Sequence, residues 1–221
     1  MDKIIRPEDI EKKSMSIIRS ELEMLGMPPF GEEEPVVLRV IHTTADFDYA
    51  ENLRFMCGAV RAGSEALKNG CTVITDTNMA RAGINKKTLS QFGGNAECFM
   101  ADPEIAERAK AEGTTRAVAS VKKATELYPC GIYAVGNAPT ALYELADRIR
   151  EGLKPSLIIA VPVGFVNVVE AKEEILALCC EKGIPVIAAM GRKGGSNVAA
   201  SIVNALLYIA AGKVDPETRK L

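Results

Sequence analysis

The 221-residue chain has a single histidine, no CxxC pair among its six cysteines and no block of like charges. It also has no apolar run near the roughly 18 residues that a membrane span requires. Cys57, Cys71, Cys98, Cys130, Cys179 and Cys180 are spaced neither for a zinc ribbon nor for a disulfide framework. The opening MDKIIRPEDIEKKS does not follow a charged start with an apolar stretch, so the expectation is a soluble, cytoplasmic protein. One histidine without a nearby carboxylate cluster cannot supply three or four metal ligands, and no metal is expected. Lys and Arg number 27 against 29 Asp and Glu, a net charge of -2, which points to neither nucleic acid nor a membrane surface. A polyanionic small substrate stays compatible, because a balanced total hides local arginines. G-x-G-x-x-G, G-x-x-x-x-G-K-[ST] and G-x-S-x-G are all missing, which disfavours a dinucleotide site, a P-loop and a Ser-His-Asp hydrolase.

What is present is an alternation. From about residue 70, short runs rich in β-branched residues (CTVITDT, GIYAVG, PSLIIAVPV, IPVIAAMG) are separated by longer helical patterns such as APTALYELADRIREG and SNVAASIVNALLYIAAG. Strands as apolar as LIIAV and PVIAA belong in a sheet covered on both faces, so a mostly parallel, doubly wound α/β sheet is expected. The length suits one domain over 1–221, with an N-terminal helical segment at about 7–44 and an α/β core at about 52–212. In EEEPVVLRVIHTT, acidic residues before Pro35 favour a helix start over a strand, which sets Arg39 and the lone His42 one turn apart. NLRFMCG is expected as a first strand, AVRAGSEALKNG as a helix ended by Gly70, and the tail KVDPETRKL as a frayed end.

In such a sheet, ligands bind beyond the carboxyl ends of the strands. Four loops there are chemically loaded and should share one rim: TDTNMARAG, GNAPTAL, PVGFVNV and GRKGGSNV. GRKGGSNV combines glycines, Arg192 and Lys193 with Ser196 or Asn197 as a helix cap, which suits an anion on a helix N-terminus; it equally suits a tight turn whose cations face water. Asn137 reads as a cap, with Pro139 early in the helix. Thr75, Asp76 and Thr77 either hold a ligand or satisfy backbone donors at a turn. A lone histidine beside apolar residues is ordinarily a hydrogen-bonded structural residue, and the residues alone leave the role of His42 open.

RVIHTTADFDYA, TDTNMARAGINKKTL, GNAPTALYEL, VPVGFVNVVEAKE and GRKGGSNVAASIVNALL, in that order, resemble the precorrin-8X methylmutase family, including its cobalt-precorrin-8 methylmutases. The likeness extends from about residue 4 to residue 208. It implies a flavodoxin-like three-layer α/β/α sandwich, a homodimer with sites near the subunit interface, and an isomerase that needs no cofactor of its own. That isomerase moves a methyl group from C-11 to C-12 of a corrinoid, giving hydrogenobyrinic acid or cobyrinic acid. Any cobalt belongs to the substrate, and the stretches HTTADFDYA and TDTNMARAGINKK resemble the cobalt-bearing branch more closely. The family's R-x-x-H motif falls on Arg39 and His42, its I-E-x-x-S pattern on Ser14, its T-R-S segment on Arg116 with Ala117 in place of serine, and its GGS on Gly194, Gly195 and Ser196. Ala171 stands where the family pattern E-S-K has serine.

The resemblance makes His42 the expected proton donor to the ring, since general acid catalysis near neutrality calls for an intermediate pKa. Ser14, Arg39, Arg116, Gly195 and Ser196 are the expected substrate contacts, because guanidinium pairs bidentately with the corrinoid's carboxylates. Transient contacts with neighbouring pathway enzymes are part of this expectation. The competing expectations are a non-catalytic corrinoid carrier and another α/β enzyme for an anionic small molecule.

Overall fold

The computed structural model describes residues 6–214. The expected frayed tail falls outside the described residues from 215 onward. Helix α1 (Pro7–Met24) begins with its proline in the first turn, where no N–H is needed, and gives way to left-handed Gly26. A short 3-10 turn (Gly31–Glu33) leads into α2 (Glu34–Thr44), again opened by a proline, and left-handed Ala45 closes α2. The helical reading of EEEPVVLRVIHTT is therefore the observed one. Helix α3 (Asp48–Asn52) and strand β1 (Leu53–Met56) follow, then α4 (Ala59–Lys68) and β2 (Val73–Thr75). Next come α5 (Asn78–Gly83), α6 (Lys86–Gln91), β3 (Ala96–Glu97), α7 (Pro103–Ala111) and α8 (Arg116–Leu127). The chain continues through β4 (Ile132–Val135), α9 (Pro139–Arg150), β5 (Leu157–Ala160), α10 (Val168–Lys182), β6 (Val186–Ala189) and α11 (Ser196–Ala210).

The six strands form one sheet in the order β3-β2-β4-β5-β6-β1. Every pairing is parallel except that of β1, which runs antiparallel along β6 with Leu53 opposite Ala189. Apart from that edge, the order of the parallel strands is the flavodoxin-like one, with its reversal between β2 and β4.

Every residue of β2, β4, β5 and β6 is buried. Successive side chains of a strand point to opposite faces. Ile132, Ala134, Leu157, Ile159, Ile187 and Ala189 accordingly join one core with α2, α4 and α11, whereas Tyr133, Val135, Ile158, Ala160, Val186 and Ala188 join a second with α8, α9 and α10. These are the three layers of an α/β/α sandwich. Helix α11 is the hub of the first layer, lying against α2, α4 and α5, and α1 packs outside α2. Gly63 on α4 permits this approach: a Cβ there would lie 2.7 Å from Leu157 Cδ2 and 2.9 Å from Leu206 Cδ1.

Ile159 sits mid-sheet with no exposed surface. Ile159→Ala should cost about 2–5 kcal/mol through lost burial and the cavity left behind, read as a lower urea midpoint with an unchanged slope.

Candidate functional site

The four loaded loops meet on one rim, joined by their own polar groups. The Asp76 carboxylate, after β2, accepts from the backbone N–H of Gly136 (2.8 Å), Asn137 (2.8 Å) and Ala138 (2.7 Å) after β4. The crevice at the strand reversal is thus filled by the protein's own carboxylate, which binds the backbone of the loop leading into α9. Burial pushes the Asp76 carboxyl above its ordinary range, against the opposing pull of those three amides. Asn137 does not cap α9 as its sequence position suggests: Ala138 is the N-cap residue, with no side-chain cap bond, and the Asp76 carboxylate instead accepts from the backbone N–H groups just before the helix.

The GRKGGSNV turn also departs from expectation. Gly195 is the N-cap of α11, at φ 142°, and neither Ser196 nor Asn197 caps the helix. Ser196 instead lies inside the first turn, with its Oγ 2.7 Å from Thr77 Oγ1, linking the loops after β6 and β2. The backbone passes tightly over β5: the Gly195 N–H donates to Val161 O at 2.9 Å, and a Cβ on Gly194 would lie 2.1 Å from the same oxygen. Lys193, its side chain about 43% exposed, turns to carboxylates of the protein itself. Its Nζ donates to Asp46 Oδ2 at 2.6 Å, in the corner after α2, and to Asp48 at the start of α3. The Lys193 ammonium holds the Asp46 carboxyl below its ordinary range. Arg192 is exposed, and its guanidinium carbon lies 5.4 Å from the centre of the Phe165 ring. Phe165 and Val166, in the loop after β5, are 81% and 74% exposed and form an apolar lip beside that cation.

The Lys193 clamp attaches this rim to the end of α2, whose last turn carries His42. His42 Nδ1 lies 2.7 Å from Ser14 Oγ on α1. The two line a groove of about 550 Å³ between α1 and α2, together with Lys13, Ile17, Ile41 and Phe47. Its size falls within the range common for small-molecule sites, roughly 300–1,000 Å³. Arg39, one turn before His42, forms an ion pair with Glu11 of α1 and lies with its guanidinium carbon 5.1 Å from the Tyr208 ring centre on α11. Arg116 stands apart from this group. It is an exposed residue at the first position of α8, in the opposite helical layer, where Thr115 caps the helix and its hydroxyl lies 3.1 Å from that of Thr140. Among the described residues, no three His, Cys, Asp or Glu side chains are grouped to hold a metal ion, and no helix is long and apolar enough to cross a membrane.

Sequence reasoning passed over Lys172, which lies in VEAKEE among charges that read as a solvated face. It is completely buried on α10, and its Nζ donates to the carbonyls of Gly191 and Lys193, 2.8 Å each. Desolvation lowers its pKa from 10.5 to about 8. The signal was its phase: Lys172 falls on the helical stripe Val168, Ala171, Ile175, Leu178 and Cys179.

A family model described as precorrin-8X methylmutase matches residues 9–209. The chain is 41% identical over 215 residues to the cobalt-precorrin-8 methylmutase of Priestia megaterium, covering 96% of this chain and 92% of that protein. It is 44% identical over 209 residues to that of Leptospira interrogans, covering 92% and 94%. The precorrin-8X methylmutase of Pseudomonas aeruginosa is 34% identical, with 93% and 97% covered. Among solved structures, the precorrin-8x methyl mutase from Thermus thermophilus superimposes with a TM-score of 0.82 at 40% identity, covering 92% of this chain and 98% of that one.

Two expectations arise from the rim. Gly194→Ala should destabilise the protein by about 1–3 kcal/mol, since its methyl group meets backbone oxygen that cannot step aside; thermal unfolding checks this. The second concerns Lys172: the unfolded chain holds its proton up to about pH 10.5, the folded chain only up to about 8, so unfolding takes up a proton between those values and stability rises with pH. Relative to Lys172→Met, the wild-type protein should therefore gain about 3 kcal/mol across that window in denaturant titrations.

Proposed function

Because this chain belongs to the precorrin-8X methylmutase family, we propose that His42 is the proton donor of its reaction, with Ser14 fixing the imidazole. The protein is an isomerase of cobalamin biosynthesis that shifts a methyl group from C-11 to C-12 of a precorrin-8-type corrinoid. The observation that carries the proposal is the 2.7 Å contact between Ser14 Oγ and His42 Nδ1 in the groove between α1 and α2. With Nδ1–H donating to the Ser14 hydroxyl oxygen, the imidazolium keeps that proton and delivers the one on Nε2 to the substrate, so the transfer leaves a neutral imidazole.

A methyl shift around a conjugated ring is a sigmatropic rearrangement, which requires neither a redox partner nor a covalent nucleophile. Protonation or hydrogen bonding at a ring nitrogen beside the migrating carbon withdraws electron density and favours the rearranged, more conjugated product. General acid assistance of this kind contributes roughly 10²–10⁴-fold. No cofactor of the protein's own is assigned to the reaction. The remaining task is to hold a flat, many-carboxylate ring in register. Arg39, paired with Glu11 and set beside the Tyr208 ring, is the guanidinium one turn from His42 and is suited to a substrate carboxylate. Gly195 and Ser196 present the start of α11, Arg116 extends the cationic rim, and the lip of Phe165 and Val166 suits the apolar face of the macrocycle. Higher identity to the relatives named for the cobalt substrate supports cobalt-precorrin-8 as the physiological one. Ile10 and Ile17 beside the groove are 48% and 45% exposed, which supports a homodimer closing over the site, and cytoplasmic localisation fits the biosynthetic role.

His42→Ala should abolish turnover of cobalt-precorrin-8 while corrinoid binding, followed by absorbance titration, stays within a few-fold. Ser14→Ala should lower kcat by about tenfold, part of the general-acid contribution, with KM little changed. Near wild-type turnover by His42→Ala would overturn the assignment. A parallel assay with metal-free precorrin-8 decides the substrate.

A further inference from the structure

Lys172 is the one charged side chain that α10 drives wholly into the interior. Its neighbours on that stripe are apolar, and a methionine would fill the same position without the desolvation that an ammonium suffers. No carboxylate pairs with it among the described residues; what it makes are two bonds, to Gly191 O and Lys193 O. Both oxygens belong to the turn between β6 and α11. One buried amine thus grips both sides of that turn from beneath, where Gly191 is left-handed at φ 71° and Gly194 lies pressed on Val161 O.

The same turn acts outward through the Lys193 side chain. Its ammonium bonds Asp46 and Asp48, in the corner that follows α2, and left-handed Ala45 ties that corner to the last turn of α2 through its N–H to Ile41 O (2.7 Å). His42 is the residue after Ile41. A continuous series of contacts therefore connects the buried amine to the imidazole: Lys172 to the turn, the turn to Lys193, Lys193 to Asp46, and Asp46 to the end of α2.

We infer that Lys172 is a positioning residue for the methyl shift, holding the β6–α11 turn in the one shape from which Lys193 fixes the α2 corner and hence His42. The inference rests on the reading of His42 as proton donor. A transition-state proton transfer depends more steeply on imidazole placement than corrinoid binding does, because binding is spread over many carboxylates.

The test is a kinetic cycle on the full-length protein with cobalt-precorrin-8. Lys172→Met and Lys193→Met should each lower kcat by about tenfold or more with KM changed less than about threefold, and the double variant should be no slower than the slower single, because both cut one series of contacts. Lys172→Gln, which keeps a donor without the charge, should recover part of the lost kcat. Circular dichroism and melting temperature monitor the fold, and if Lys172→Met does not fold the Gln variant alone carries the kcat and KM comparison. Wild-type kcat in the Lys172 variants, losses that appear in KM alone, or multiplicative losses in the double variant would each overturn the inference. If His42→Ala is inactive and the Lys172 variants are not slowed, only this inference falls; if His42→Ala remains active, the donor assignment falls and takes the positioning role with it.

Discussion

Four parallel strands with every residue buried impose the constraint on which this molecule is built. Apolar side chains on both faces of β2, β4, β5 and β6 must be covered from both sides, so the connections between parallel strands become helices divided between two layers. The loops after the strands are thereby driven to a common rim. The one antiparallel strand, β1, pairs with β6 at the end of the sheet. It follows directly on α3, so the N-terminal helices reach the sheet beside the turn after β6.

At the rim, the protein's own polar groups take up several of the positions that look open to a ligand. Asp76 fills the crevice at the strand reversal and binds the backbone leading into α9, while α11 starts at Gly195 without a side-chain cap. Ser196 is turned toward Thr77 and Lys193 toward Asp46 and Asp48, so polar groups that look like ligands in the sequence serve to fix the loops to one another. The histidine proposed as proton donor comes from outside the sheet layer, on α2, with Ser14 of α1 beside its Nδ1. The series of contacts from Lys172 through the β6–α11 turn and Lys193 reaches the corner that ends α2.

Much of this was legible in the chain. Strand apolarity told the layers, the acidic run before Pro35 told α2 and the spacing of Arg39 to His42, and five ordered motifs told the family. Individual caps were misread at Asn137 and at Ser196 or Asn197. Neighbouring residues suggest caps there, but the loop before α9 is held by Asp76, about sixty residues earlier, and Ser196 turns to Thr77. Lys172 was hidden for a related reason: its charge reads as solvent-facing unless its helical phase is counted, and its partners lie on a turn about twenty residues further on.

By itself the sequence determined the main helices and strands, the parallel α/β class, the family and the identity of the lone titratable imidazole, because these depend on local periodicity and on ordered motifs. The tertiary structure alone decided that Ser14 meets His42, that Arg39 is shared with Glu11 and Tyr208, that Lys193 is a clamp and that Lys172 is buried. Each of these joins residues far apart in the chain, and side-chain direction in a packed molecule is set by which surfaces the layers bring together.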